Sequence, residues 1–384
     1  MPPNNSNQFD PTQNDGTSAR VTFCVPELDP GGAEKALVRV ASGLRERGWM
    51  VNVVSLRDAG SLTRQLESDG ISVTALQCGS FMDIRAVFRL RRVLRREQPE
   101  LLVCFLHQAN IVGRLAGRLA GVRNVISGIR VADRRKWVTW TDRLTRRLTR
   151  KYVAVSRHVA DVHAGACRIS PDKMTVIHNG VDIPGQYPTR LRQVNSNSRI
   201  LFVGRLTKQK QPMHLVRAIA AMPDQLRNQV IVDFIGEGEL RRDLERHVVT
   251  AGLGDCIRFR GYQSNVVEWM QNADVLALPS AWEGLPNVVL EAMANRLPVV
   301  ATNVDGVAEI IQPGVTGWLV PPADVTALAA ALSQVLTDED ARQKVADRAL
   351  EAVRQRFCWK NTIEAFERLL NDLRDHSHGL EKCR

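Results

Sequence analysis

Short apolar runs that alternate with helix-period segments constrain the fold of this chain more than any other feature. Val21–Val25 predicts a first strand, Ala33–Arg47 a helix that Gly48 ends, and Val51–Leu56 the next strand. The strand-like series continues through Leu101–Leu106, Val125–Ile126, Tyr152–Val155, Ile200–Gly204, Val230–Ile235, Ile257–Phe259, Val275–Leu278 and Pro298–Ala301. This alternation predicts an α/β fold whose parallel sheets carry helices on both faces.

The chain divides naturally at residues 184–198, which hold two Pro, a Gly and several Asn and Ser without a hydrophobic period. We interpret this stretch as a linker between an N-terminal domain, 20–183, and a C-terminal domain, 199–356, because 384 residues exceed one ordinary core. Residues 1–19 are polar enough to predict a disordered tail, and they lack the apolar segment of a signal peptide. Two facing sheets of this kind predict a ligand in the cleft between them.

Cysteine spacing and hydropathy argue against several protein classes. The seven cysteines show no CxxC pair, which predicts buried free thiols in a reducing cytoplasm rather than a zinc site or a disulfide framework. No apolar run approaches the roughly 20 residues of a membrane-spanning helix. The only Asp-x-Asp, Asp338–Asp340, lies in a late helical stretch, so no metal site is predicted.

Positive charge is confined to the first half of the chain. Residues 1–183 hold 28 Lys and Arg against 17 Asp and Glu, whereas residues 184–384 hold 24 of each. Two segments, 81–96 and 134–151, predict basic amphipathic helices, and the second contains Trp137 and Trp140. Such helices suit an anionic membrane surface, with a solvated helix face as the alternative.

A segment after one predicted strand, Val275–Leu278, forms a candidate anion site. Pro286 suits the first position of a helix, because its missing N–H would be unpaired there in any case. The amides of residues 287–289 would then point out of a helix N-terminus at a strand end. Gly284, just before, would let a ligand approach the backbone closely.

Two carboxylates flank these amides. Glu283 lies in the loop, and Glu291 lies about a turn and a half into the helix at 3.6 residues per turn. Carboxylates accept hydrogen bonds from sugar hydroxyls, so the segment suits a phosphate with a hydroxyl-bearing ring on each side, as in a nucleotide sugar. The alternative is an ordinary helix with acidic residues near its N-terminus.

Two further loops follow predicted strands. Gly204 permits a tight turn, after which Arg205 and Lys210 can neutralise a diphosphate as a metal would, unless the loop is merely basic and solvated. In the first domain, Gly31 and Gly32 precede a helix and can expose backbone amides, although such a pair is usually just a turn.

Taken together in order and spacing, these segments resemble family 4 of the retaining glycosyltransferases, which have the two-domain GT-B fold. The similarity runs from Arg20 to about Leu370 and includes 30–34, 176–182, 202–206, 235–238, 283–291, 308–311 and 316–322. It implies a metal-independent enzyme with no cofactor beyond its nucleotide-sugar donor, UDP- or GDP-linked. It also implies a C-terminal helix, 357–384, that crosses back to the first domain.

The resemblance implies roles for the matching residues. Arg205 and Lys210 would bind the donor diphosphate and stabilise the leaving group, Glu283 would contact the transferred sugar, and Glu291 would hold the ribose. Many family members also place a donor-contacting His after a first-domain strand. Here Arg130 takes that position, and His107 is a nearby alternative. The other reading of His107 is a loop residue or a residue on the acceptor side. The other predicted substrate contacts are Gly31, Gly32, Gly204, Tyr262, Leu285, Pro286, Asn287 and Val288.

The leading hypothesis is therefore sugar transfer to a lipid-linked or polysaccharide-precursor acceptor, by a cytoplasmic protein attached peripherally to the inner face of the cell membrane. A nucleotide-sugar epimerase of similar architecture and a basic nucleic-acid-binding protein are the alternatives. The neutral second half and the absence of a nucleic-acid motif argue against the latter. The sequence leaves the sugar, the nucleotide and the acceptor open.

Overall fold

The computed structural model describes residues 19–79, 83–131, 133, 135–185 and 197–382, with side chains up to 376. The predicted disordered tail, 1–19, lies outside the described residues except for Ala19, which is buried, and most of the predicted linker, 184–198, lies outside them too. Phe81 and Arg134 of the predicted basic helices lie outside them as well. No helix in the described ranges combines the length and apolar character that crossing a bilayer requires.

Seven strands form the first sheet, in the order β3-β2-β1-β4-β5-β6-β7. They are β1 Arg20–Val25, β2 Met50–Ser55, β3 Ser72–Ala75, β4 Leu101–Phe105, β5 Asn124–Ile129, β6 Lys151–Ala154 and β7 Met174–Val176. The helices between them are α1 Gly32–Glu46, α2 Thr63–Ser68, α3 Arg85–Glu97, α4 His107–Ala120, α5 Lys136–Thr145 and α6 Arg157–Cys167.

Six strands form the second sheet, in the order β10-β9-β8-β11-β12-β13. They are β8 Ser198–Val203, β9 Val230–Ile235, β10 Ile257–Gly261, β11 Val275–Leu278, β12 Val299–Thr302 and β13 Trp318–Val320. The helices are α7 Pro212–Ala220, α8 Asp224–Arg227, α9 Arg241–Thr250, α10 Val266–Gln271, α11 Asn287–Ala294, α12 Val307–Ile310, α13 Val325–Thr337, α14 Glu339–Arg356 and α15 Trp359–Lys382.

The predicted α/β class and parallel sheets are confirmed. β9 and β11 have the predicted bounds, and the other predicted strands differ by a few residues at their ends. Three strands were missed, namely β3, β7 and β13, which are only three or four residues long. Polar residues interrupt β3 and β7, and the apolar run of β13 is only three residues. The helix predicted at Ala33–Arg47 is α1.

By its contacts the chain divides into two units. The first comprises residues 1–127, 148–150 and 370–384, and the second comprises 128–147 and 151–369. In the first unit, α3 and α4 pack on a core with β1, β2 and β4 that includes Cys24, Leu90 and Cys104. In the second unit, one core lies around Phe202 and Phe234 and another around Leu276 and Met293. Burying such side chains stabilises each unit by about 1.5–3 kcal/mol per large apolar residue.

The six described cysteines are free thiols, and four of them are buried, as predicted. A hydrogen bond with the Cys104 thiol, together with burial, raises the pKa of Cys24. Burial likewise raises the pKa of the half-buried Cys256. These two thiols are therefore poor nucleophiles at neutral pH.

Candidate functional site

The strand order of the second sheet reverses direction between β8 and β11. Chain segments leaving these two strands diverge to opposite sides, which opens a crevice beyond their carboxyl ends. Gly204 follows β8 directly, and Ser280 lies two residues after β11. The predicted phosphate-binding loop and the Glu283 loop therefore start side by side at the switch point.

Lys210 and Glu283 meet at this switch point. The Lys210 Nζ donates to Glu283 Oε1 over 2.6 Å, and the Ser280 hydroxyl donates to the same oxygen over 2.6 Å. Glu283 is 6% exposed and the Lys210 side chain 15%. A buried carboxylate needs such partners to offset its desolvation, so Lys210 and Ser280 hold Glu283 in one orientation.

Backbone contacts join the same two loops. The amide of Ala281 donates to the carbonyl of Gln209 over 2.8 Å, and the Gln209 side-chain amide donates to the carbonyl of Trp282. The Thr302 hydroxyl, at the end of β12, donates to the carbonyl of Ser280 over 2.5 Å. The two loops are thus held by several bonds besides the ion pair.

The ends of β8 and β9 approach too closely for side chains. Gly236 has φ +131, and a Cβ there would lie 2.1 Å from the carbonyl oxygen of Gly204. Glycine alone satisfies both constraints. The surface beside Lys210 is therefore formed by backbone atoms of Gly204 and Gly236, without side chains.

The helix after the Glu283 loop differs from prediction at Pro286. Pro286 has extended backbone and is the N-cap, and α11 begins at Asn287, so the prediction that Pro286 occupies the first helical position is wrong. One of the three amides expected to be available is also used locally, since Val289 N–H donates to the Pro286 carbonyl. The anion site predicted at this helix is therefore reduced to the amides before Val289.

The group that closely approaches the Gly284 backbone is another segment of the protein backbone, not a ligand. A Cβ on Gly284 would lie 2.2 Å from the carbonyl oxygen of Arg130. The structure thus explains this glycine by backbone packing, whereas the sequence suggested room for a ligand.

Arg130 is 8% exposed and connects to the start of α11. Its Nη1 donates to Asn179 Oδ1 over 2.7 Å, and the Asn179 amide nitrogen donates to Asn287 Oδ1 over 2.9 Å. A charge-assisted bond of this kind is roughly twice as strong as a neutral one. Arg130 and Asn287, both predicted site residues, are thus joined by Asn179, which was not singled out.

A second missed cluster surrounds Glu309. Its carboxylate accepts from the amides of Arg157 and His158, over 3.0 and 2.9 Å, and lies 3.1 Å from His178 Nε2. Burial alone would raise the pKa of Glu309, but these amide and imidazole hydrogen bonds outweigh it and lower the pKa. Glu309 therefore holds the N-terminus of α6 as an ionised carboxylate.

Asp305 links that region to the Glu283 loop. Its Oδ1 lies 2.7 Å from His158 Nε2, and its Oδ2 accepts from the amide of Glu283 over 3.3 Å. Asp305 and Glu309 follow β12, at the same sheet edge as Ser280. Asp305 lies in the loop after β12 and Glu309 in the short helix α12 that follows it. Both come just after a predicted strand, but the sequence analysis assigned neither of them a role.

The other predicted donor residues belong to the loops and helix that follow β8, β10 and β11. The Arg205 side chain is exposed and has no hydrogen-bond or ion-pair partner within the described part of the chain. Tyr262 directly follows β10 and is 70% exposed. Glu291 is half-buried inside α11, Leu285 is buried, and Val288 is half-buried.

The remaining predicted residues belong to the first unit. Gly31 is the N-cap of α1 and Gly32 its first residue, just beyond β1. His107 opens α4 just beyond β4, and β1 and β4 are the neighbours between which the first sheet reverses its order. The two loops therefore flank the switch point of that sheet. They lie in a different unit from Lys210 and Glu283 and contain two glycines and a histidine instead of an ion pair.

The predicted basic helices correspond to α3 and α5. Helix α5 ends at Thr145, and Lys151, which was assigned to the second helix, begins β6 instead. Several arginines donate to backbone carbonyls: Arg89 to Leu76 and Gln77, Arg91 to Leu119, Arg143 to Ala166, and Arg146 to Cys167 and Arg168. Arg143 nevertheless remains exposed. Apolar side chains are exposed on the same helices, namely Ile84 71%, Phe88 57%, Trp137 42%, Trp140 64% and Leu144 70%.

Two family descriptions match the chain in succession: Glycosyltransferase Family 4 over residues 30–183 and Glycosyl transferases group 1 over residues 189–352. The chain is 26% identical over 351 residues to the UDP-Gal:alpha-D-GlcNAc-diphosphoundecaprenol alpha-1,3-galactosyltransferase of Escherichia coli, covering 84% of this chain and 90% of that protein. It is 24% identical over 358 residues to the lipopolysaccharide core biosynthesis glycosyltransferase LpsE of Rhizobium meliloti, covering 88% and 96%.

Solved structures support the same architecture. Anabaena HepE, in complex with UDP-glucose, superposes with a TM-score of 0.81 at 22% identity, covering 92% of this chain and 99% of that one. The lipopolysaccharide outer core galactosyltransferase WaaB superposes with a TM-score of 0.72 at 20% identity, covering 91% and 98%. With two parallel Rossmann-like sheets and both family matches in sequence order, the chain belongs to the group 1, family 4 glycosyltransferases of GT-B fold.

Proposed function

We propose that this glycosyltransferase moves a hexose from a UDP-sugar to a glycan precursor carried on a membrane lipid, with retention of configuration and without a metal ion. The observation that carries the proposal is the Lys210–Glu283 pair at the switch point of the second sheet. Family membership favours transfer over the alternatives of an epimerase and a nucleic-acid-binding protein.

Donor binding follows from the charges at this edge. Lys210 Nζ has three donors and uses one on Glu283, and the exposed Arg205 projects from the same loop. Together they supply two positive charges to a diphosphate, the charge that a divalent metal supplies in other transferases. The UDP named with HepE and in the Escherichia coli relative favours UDP over GDP.

The transfer step needs no protein nucleophile in this proposal. The acceptor oxygen attacks the anomeric carbon from the face that the diphosphate leaves. The carbon–phosphate oxygen bond breaks, and the acceptor proton passes to the departing phosphate oxygen. Arg205 and Lys210 stabilise the charge that develops on that oxygen. Glu283, held by Ser280 and Lys210, would orient the sugar hydroxyls.

The acceptor proposal rests on the exposed faces of α3 and α5. Trp137, Trp140 and Leu144 recur at helical spacing on α5, with Arg135 and Arg147 exposed nearby. Aromatic residues beside cations suit the interface of an anionic bilayer, at about 1 kcal/mol per basic residue. The lipid-diphosphate acceptor in the name of the Escherichia coli relative and the lipopolysaccharide core in that of LpsE favour a lipid-borne acceptor at the inner face of the cell membrane.

The donor proposal is tested by titrating the protein with UDP- and GDP-sugars in a chelator, by calorimetry, and by assigning the anomer of the product by NMR. We expect a UDP-sugar to bind with chelator present. We also expect the anomeric configuration of the transferred sugar in the product to be the same as in the donor. Arg205→Ala should lose donor affinity, whereas Lys208→Ala, an exposed neighbour in the same loop, should not. Equal affinity in both variants would refute the assignment.

The membrane proposal is tested by flotation with vesicles that contain about one-third anionic lipid. We expect the wild type to float at low salt and Trp140→Ser/Leu144→Ser to float less. Val249→Ser, which alters an exposed apolar residue on α9, is the control. Failure of the wild type to float, or equal flotation of all three proteins, contradicts the proposal.

A further inference from the structure

Helices α5 and α6 of the second unit enclose a cluster of metal-ligand side chains distant in sequence from the donor loops. Asp142 lies on α5, and His163 and Cys167 lie four residues apart on α6, which puts them on one helix face. One ligand atom from each residue lies within 4.8 Å of the other two. The carboxylate oxygen of Asp142 is 3.7 Å from His163 Nε2, and the Cys167 Sγ is 4.0 Å from His163 Nδ1.

We propose that Asp142, His163 and Cys167 bind a structural divalent transition-metal ion, of which Zn²⁺ fits the donor set best. Ligands of a tetrahedral zinc lie roughly 3.3–3.8 Å apart, given bonds of about 2.0–2.3 Å. His163 would bind the ion through one of its two ring nitrogens, and side-chain rotation from a mutual separation of up to 4.8 Å would bring one ligand atom from each residue to that spacing. Thiolate with imidazole selects zinc over magnesium or calcium, which prefer oxygen ligands.

Burial makes the charge balance informative. Asp142 is 1% exposed, His163 6% and Cys167 1%. Once bound to a divalent cation, an Asp carboxylate, a Cys thiolate and a neutral His would form an electrically neutral site. Buried charges are retained where they are paired or coordinate metals. Asp142 is also the only acidic residue of α5, a helix whose exposed face carries basic side chains, yet it points inward.

The scaffold around the cluster is held by independent contacts. The Arg143 Nε donates to the carbonyl of Ala166 over 2.8 Å, and Arg146 Nη1 donates to the carbonyl of Cys167 over 2.9 Å. These bonds fix α5 against the last turn of α6, so the ligands are positioned before an ion arrives. Pre-positioned ligands are what a metal site needs for affinity.

The ion would act on structure, since none of its ligands is among the donor-site residues. It would hold α5 against α6 and so orient the exposed face of Trp137, Trp140 and Leu144. Metal loss should therefore loosen this helix pair before it affects the Lys210 loop. This inference depends only on the cluster geometry and stands apart from the proposed transfer reaction.

The test measures metal content directly. Protein purified without a metal-binding tag is incubated with Zn²⁺, desalted and measured by atomic emission. We expect close to one zinc per chain in the wild type and in Cys256→Ser, a half-buried cysteine outside the cluster. Cys167→Ser should lose affinity by at least about tenfold, the effect of weakening a metal site's coordination.

Cobalt substitution provides a second readout, and its wild-type measurement does not depend on any variant folding. Wild-type protein loaded with Co²⁺ should show a thiolate-to-cobalt charge-transfer band in the near ultraviolet, and the band should be absent from Cys167→Ser. Zinc content near zero in the wild type, or a cobalt band unchanged in Cys167→Ser, would overturn the proposal and leave a metal-free Asp–His–Cys contact.

Discussion

The two sheets reverse strand order in the same way, yet their switch points carry different chemistry. In the second sheet, Lys210 and Glu283 form a nearly buried ion pair beside the exposed cation Arg205. In the first sheet, Gly31 and His107 flank the corresponding crevice. Both sheets therefore provide a crevice at the switch point, and Lys210 and Arg205 give the second crevice the two cations that we propose bind the diphosphate.

The first switch point has a feature of its own. Leu106, just before His107, has φ +73 and ψ 156, a region that residues other than glycine rarely occupy. Such strain costs about 1–3 kcal/mol and is concentrated at functional sites. The prediction for His107 below treats it as an acceptor-side residue, one of the two roles that the sequence left open.

The largest expected effect is on catalysis, from removing the Lys210 cation at the second switch point. Lys210→Ala should lower kcat/KM by about 10²–10³-fold, because it removes a cation from the charge that develops on the leaving phosphate. Steady-state kinetics with saturating acceptor measures this effect. Lys208→Ala should remain near wild type. A loss below threefold in Lys210→Ala would show that the second switch point does not bind the diphosphate.

The next effect concerns the connection between Arg130 and α11. Asn179→Ala should destabilise the protein by about 1.5–3 kcal/mol, because it removes the acceptor of a buried charged donor. Urea unfolding followed by circular dichroism measures it. Asn228→Ala, at an exposed position, should change stability by less than about 0.5 kcal/mol. Equal effects in the two variants would mean that the Arg130–Asn179 bond contributes nothing specific.

His107→Ala should have a smaller effect, confined to the acceptor. We expect kcat/KM for the acceptor to fall roughly threefold to tenfold, the worth of about one hydrogen bond, with donor affinity unchanged. Calorimetry with the donor alone and kinetics with varied acceptor separate the two. A weakened donor affinity would instead place His107 with the donor, the other role that the sequence left open.

The smallest expected effect is on the pH dependence of folding stability. The pKa of Glu309 is lowered in the folded protein, so its contribution to stability is present above its unfolded value, about 4.3, and is lost as the pH falls through the lower folded value. Urea midpoints between pH 7 and pH 3 should therefore fall less steeply at the acid end in Glu309→Gln. Parallel curves for the two proteins would contradict the role of Glu309 as an ionised cap of α6.

Much of the site was predictable because it lies in loops after strands. Gly204, Arg205, Lys210 and Glu283 follow apolar runs that the sequence identifies as strands. Parallel topology then brings such loops to one edge. Asn179, Asp305 and Glu309 follow strands too, but their partners lie more than a hundred residues away or in another loop. No local pattern indicates those pairings.

The sequence by itself determined the α/β class, the alternation of elements and the chemical character of the donor loops, since these depend on short-range periodicity and residue type. Tertiary structure decided which groups meet. It paired Lys210 with Glu283, made Pro286 a cap, turned Arg143 and Arg146 onto backbone carbonyls, and brought Asp142 to His163 and Cys167. Those outcomes depend on contacts between distant segments, which chain packing sets and local propensity does not.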